Sequence, residues 1–252
     1  MGNIERAFED VTKVIFGTGL SNLHDYKTWI VQDIEAGVET VKSAVSDKEI
    51  PIADVTFFRL MKKNIVDLDE SLELGKKELD EEQLDSLNIK NASALLAGIK
   101  KTTPQIVYGK NIDSYKCACY GPTQDCYQNA FSWFCKAAAY CFMQRTSEYV
   151  FGCSNIIDGN FCIKCYNSAK LARCFEVGDS NNCNDCYFCH NCENLSDCMF
   201  CFNIKSKRYA IGNVEVGKAL YTVIKQKVLE KIVTELRATK KFSYNLYNIG
   251  AT

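Results

Sequence analysis

The chain has 252 residues, 47% of them hydrophobic, with three prolines and fifteen cysteines, a composition that buries a core and excludes disorder throughout. No apolar run reaches the roughly 18–20 residues of a membrane span, and the acid-bearing start MGNIERAFED is unlike a secretory leader, so a soluble chain made in the cytoplasm is expected. The net charge of −1 conceals a gradient: 13 Lys/Arg against 19 Asp/Glu in 1–104, 7 against 9 in 105–204, and 10 against 3 in 205–252.

The first elements read as helices. Ile4, Phe8, Val11 and Ile15 share one helical face, which Gly17 and Gly19 end. A longer helix is expected from a cap at Ser21 or Asn22 to about Asp47, with Leu23, Tyr26, Ile30, Ile34, Val38, Val41 and Val45 as its stripe. Pro51 suits the first turn of a third helix carrying Ile52, Val55, Phe58 and Ile65. One or two charged helices follow between Asp67 and Leu87, and a last short one lies between Asn91 and Ile99. The sparse stripe Leu68, Leu72, Leu79, Leu84 and Leu87 needs neighbours to bury it, so 1–104 is expected to form a helical bundle or an intersubunit contact.

Composition changes near Pro104, because every cysteine lies between Cys117 and Cys201. Fourteen of the fifteen fall at positions divisible by three: Cys117, Cys126, Cys135, Cys141, Cys153, Cys162, Cys165, Cys174, Cys183, Cys186, Cys189, Cys192, Cys198 and Cys201. Cys119 alone is out of phase. None of the thirty positions in that phase between Cys117 and Ile204 is charged. A strict period of three fits neither an α-helix nor a flat strand. It fits a tight β-solenoid of 9- or 12-residue coils over 105–215, whose narrow interior takes Cys, Ser, Ala and Gly. Eight cysteine pairs are nine apart and six are twelve apart, which favours nine. Asn or Asp often precedes the cysteine, as at Asp125, Asn182, Asp185, Asn191 and Asp197, and this suits repeated corners. An aromatic often follows it (Tyr127, Phe142, Tyr166, Phe175, Tyr187, Phe202), for packing against the flanking helices.

Stacked coils about 4.8 Å apart bring equivalent cysteines within disulfide reach, so the interior cysteines are also disulfide candidates. In a reducing cytosol they act as small hydrophobes. A competing reading takes Cys183, Cys186, Cys189 and Cys192 as ligands of an iron–sulfur cluster or zinc. The repeat explains their spacing without a metal, so no cofactor is expected. His190 lies out of phase, at the surface. With only two histidines, no G-x-S-x-G elbow, no H-E-x-x-H and no phosphate loop, no enzyme activity is assigned.

Beyond Cys201, the residues Val216, Leu220, Val223, Ile224, Val228, Ile232 and Leu236 predict a helix over 216–238 that caps the solenoid's open end. The aromatic tail 239–252 is expected to dock through Phe242, Tyr244, Leu246 and Tyr247, on its own body or on a neighbour. C-x-x-C coils running into Lys205, Lys207, Tyr209, Ile211 and Asn213, then a helix from about Lys218, resemble cysteine-rich repeat proteins of small-genome bacteria, archaea and phages. The resemblance covers about 117–237 and implies the repeat architecture, with no reaction attached to it.

The fold class expected is therefore α+β: a helical bundle, a cysteine-lined solenoid and a capping helix. The charge gradient and the missing active site point to a structural assembly protein. Such a protein self-associates or docks on other proteins of a large assembly, an exported or viral particle included. Membrane and nucleic-acid partners are disfavoured.

Overall fold

The computed structural model describes residues 2–251. Helix α1 (Gly2–Phe16) buries Ile4, Phe8, Val11 and Ile15, the face read from the sequence. The long helix expected from Ser21 to Asp47 is absent. Asn22 is left-handed (φ 63°) and makes no side-chain cap, and a 3-10 turn (Leu23–Tyr26) leads into the single turn of α2 (Lys27–Ile30). Strand β1 (Val38–Lys42) then pairs antiparallel with β2 (Glu49–Ala53), from Val38 opposite Ala53 to Lys42 opposite Glu49. The β-branched residues Val38, Thr40, Val41, Ile50 and Ile52 favour a pleated ribbon over a helix. Pro51, expected in a helix, lies in β2, where a two-stranded ribbon tolerates a missing N–H.

Helix α3 (Thr56–Met61) starts after the ribbon, later than Pro51 suggested. Helices α4 (Leu68–Leu74) and α5 (Glu81–Ser86) are held by capping boxes, Asp67 with Glu70 and Asp80 with Gln83. Helix α6 (Ala92–Leu95) completes the set. None of α4, α5 and α6 buries a residue, so 67–101 stands out as an arm where a packed bundle was expected.

From Asn111 to Ile211 the chain winds a parallel β-solenoid of about eight turns. Partners in adjacent strands are always twelve residues apart, as in Thr123 with Cys135, Cys162 with Cys174 and Cys186 with Cys198. Nine, which the cysteine count favoured, is not the strand register. A thiol does approach the backbone carbonyl nine residues ahead, whichever residue supplies it, as Cys165 Sγ does at Cys174 O (3.5 Å) and Cys162 Sγ at Leu171 O (3.8 Å).

The residue before each inward one adopts positive φ, which recurs every third position with few exceptions from Asp113 to Gly212. Twelve residues thus bend four times per turn. Left-handed conformation costs an L-residue about 1–2 kcal/mol, and Asn or Asp tolerates it best. This is why Asp125, Asn182, Asp185, Asn191 and Asp197 precede inward cysteines.

Two of the four sides are covered. On one, the outward residues Tyr127, Phe151, Phe175, Tyr187 and Met199 pack under α1 and under α7 (Lys218–Thr239). On the next, Ala130 and Phe142 lie beneath the ribbon, while Tyr166 and Gly178 meet the carboxyl arm. The other two sides present Arg145, Ile157, Asn160 and Asn181 to solvent.

The carboxyl-terminal helix flanks the solenoid where a cap over its end was expected. Its Tyr221, Ile232, Val233 and Leu236 join the cluster of Tyr187, Phe188 and Phe16, while Leu220 and Val223 of the expected stripe are exposed. The last coil is closed by Val214–Glu215, which turns back antiparallel on Arg208–Ile211.

Candidate functional site

The lumen is built by the repeat itself. Cys117, Cys126, Cys135, Cys141, Cys153, Cys162, Cys165, Cys174, Cys183, Cys186, Cys189, Cys192, Cys198 and Cys201 are all buried free thiols, as is Cys119. Most inward sulfurs sit close to the carbonyl oxygen two residues back, for example Cys141 Sγ to Ala139 O at 3.1 Å. They also accept from the next coil: the backbone N–H of Cys153 donates to Cys141 Sγ, and that of Cys165 to Cys153 Sγ, both at 3.4 Å. Serine does the same where it replaces cysteine. Ser168 Oγ donates to Tyr166 O (2.6 Å) and accepts from Ser180 N (3.0 Å). This shared bonding explains why Cys and Ser interchange along the phase.

Thiols also meet one another. Equivalent positions stack from coil to coil, Cys162 opposite Cys174 and Cys186 opposite Cys198. Burial pushes the Cys117 thiol up to about 12 and the Cys135 thiol up to about 11. A neutral buried thiol is a packing group and a weak donor, unlike the accessible thiolate of a nucleophile. Cys183, Cys186, Cys189 and Cys192 occupy the four sides of a single coil. Among the described residues no three His, Cys, Asp or Glu side chains are grouped to hold a metal ion.

Cys119, out of phase in the sequence, sits at a left-handed corner (φ 54°) with its sulfur 2.9 Å from Pro104 O. His190 lies at the rim, its Nε2 2.6 Å from Asp179 Oδ2. Neither contributes to the lumen.

The four arm residues divide. Phe242 is buried against Phe188, and Leu246 is buried over Gly178, where a Cβ would lie 2.6 Å from Leu246 Cδ2. Tyr247 approaches the Tyr166 ring at 5.5 Å yet stays largely exposed, as does Tyr244. The arm thus docks on its own chain.

Beneath it is a cluster that sequence reasoning missed. Lys164 Nζ lies 2.6 Å from Asp33 Oδ2 and 3.6 Å from Glu176 Oε1, and donates to Trp29 O at 3.2 Å. Asn245 of the arm donates to Asp33 Oδ1, and the N–H of Leu246 to Glu176 Oε2. Burial pushes the Glu176 carboxyl up to about 8, against the opposing pull of Lys164. Lys164 and Glu176 occupy the left-handed phase, otherwise read as outward and solvated. Their opposite charges twelve residues apart were the one available signal.

The remaining surface separates by charge. Residues 67–87 hold nine acids and two lysines, whereas 218–241 hold seven Lys/Arg and two glutamates. No described ion pair joins the two segments. No family model matches the chain, and no curated protein is similar to it. No described helix is long and apolar enough to cross a membrane.

Proposed function

We propose that this protein is a structural component of a larger assembly, a rigid scaffold that associates with further copies of itself through its acidic and basic ends. The observation that carries this reading is the arm 67–101, which exposes Leu72, Leu84, Leu87 and Ile89 among carboxylates with nothing packed over them. Large side chains rimmed by charge mark interaction surfaces. The closed lumen supports a role in stiffness, and its buried thiols lack the accessibility that catalysis needs.

Light scattering on size-fractionated protein tests the reading. Assemblies larger than one chain are expected at low salt and should shrink as ionic strength rises past a Debye length of about 8 Å at 0.15 M. A monomer at every salt and protein concentration would sink it.

A further inference from the structure

The basic end carries a groove that fits the acidic arm. Phe200, Val228, Phe242 and Ile249 line an apolar depression of about 360 Å³ between α7 and the carboxyl arm, with Lys227 and Lys231 exposed along it. Glu235, at the same groove, is occupied by Ser243, whose hydroxyl donates to Glu235 Oε1 at 3.2 Å. Neither lysine takes part in a described ion pair.

The arm offers the complementary shape and charge. On and after α5, Leu84 is 56% exposed and Ile89 92% exposed, with Glu81, Glu82 and Asp85 beside them. Both surfaces are on one chain but far apart. The arm springs from the ribbon on the turns of Ala130 and Phe142, and the groove lies on those of Phe188 and Phe200. Some four turns separate them, roughly 19 Å at about 4.8 Å per turn.

We infer that the leucine-bearing segment 80–89 of one copy seats in the Phe200–Val228–Phe242–Ile249 groove of the next, its carboxylates on Lys227 and Lys231. The inference rests on the self-association proposed above and specifies its geometry. Because each copy carries one arm and one groove, copies can exchange arms in a two-fold dimer, close into a larger ring, or add head to tail as a filament, according to the rotation between neighbours.

Complementation between two variants tests it. One carries Leu84→Asp, Leu87→Asp and Ile89→Asp, all exposed positions; the other carries Lys227→Glu and Lys231→Glu. Each alone is expected to be monomeric under conditions where the native chain assembles. Mixed in equal amounts they should form a one-to-one dimer that grows no further, since only one arm and one groove remain intact. Adding Glu81→Lys and Glu82→Lys to the groove variant should restore growth, which a misfolded variant would not do. Native assembly with both variants still assembling, or a mixture that stays monomeric, overturns this geometry and leaves self-association standing. A native chain that is itself monomeric removes both.

Discussion

Gln144 shows how narrowly the lumen selects its side chains. It occupies an inward position, is buried, and neither its amide nitrogen nor its oxygen has a partner. Leaving such groups unbonded costs roughly 1–3 kcal/mol. Gln144→Met, close in volume and free of polar hydrogens, is expected to raise the unfolding free energy by about 1–2 kcal/mol on that basis. Urea titration measures this, and a loss of stability would show that the amide has a partner. Glu176 presents the opposite problem, since ionising it would set a buried negative charge beside a Lys164–Asp33 pair that is already neutral in sum. Its carboxyl is held at about 8 in the fold against the ordinary 4.5. Its contribution is therefore complete below pH 4.5 and is lost as pH rises through 8. The native chain should lose stability relative to Glu176→Gln between pH 5 and 9. Parallel pH curves for the two would refute the assignment.

Among the elements, the carboxyl arm depends on few anchors. Leu246 over Gly178 and Phe242 against Phe188 supply its buried apolar contacts, and Asn245 and the N–H of Leu246 its polar ones. Leu246→Asp would set a carboxylate next to Glu176 and release the arm. Trypsin should then cut at Lys240 and Lys241 far faster than in the native chain, while α7 stays intact; unchanged cleavage would mean the arm is held elsewhere. The elements also show what the sequence disclosed. Helix α1 was legible from four apolar residues on one face, and the solenoid from an uncharged phase. The ribbon was not, because Val38, Val41 and Val45 also satisfy helical spacing, and only β-branching argued the other way. Coil length was hidden for a different reason: cysteine fills a phase of three, in which pairs nine apart arise as readily as pairs twelve apart, so counting pairs could not separate the two. Lys164 and Glu176 were unreadable singly, since their burial is imposed by α2 and the arm.

At the scale of the molecule, register is the property that tests the architecture. Duplicating residues 123–134 adds one full turn and keeps every inward row aligned, whereas duplicating 126–134 adds nine residues and advances each row by one side. The first variant should retain a cooperative thermal transition by circular dichroism, with some loss from displaced flanks. The second should lose it, and equal behaviour of the two would contradict twelve-residue pairing. The covered and bare sides matter at this scale as well. Helices, ribbon and arm occupy two faces, which leaves the acidic arm and the basic groove near opposite ends of the solenoid.

The twelve-residue turn also sets how this body answers tension. Each turn adds only about 4.8 Å along the axis, yet twelve residues pulled straight span about 40 Å. A chain loaded between its arm and its groove would stay short until a terminal turn peels away, then lengthen in one large step while the turns behind it hold. Stretched at its two ends, the protein would behave as a ratcheted extensible link, giving out slack one coil at a time.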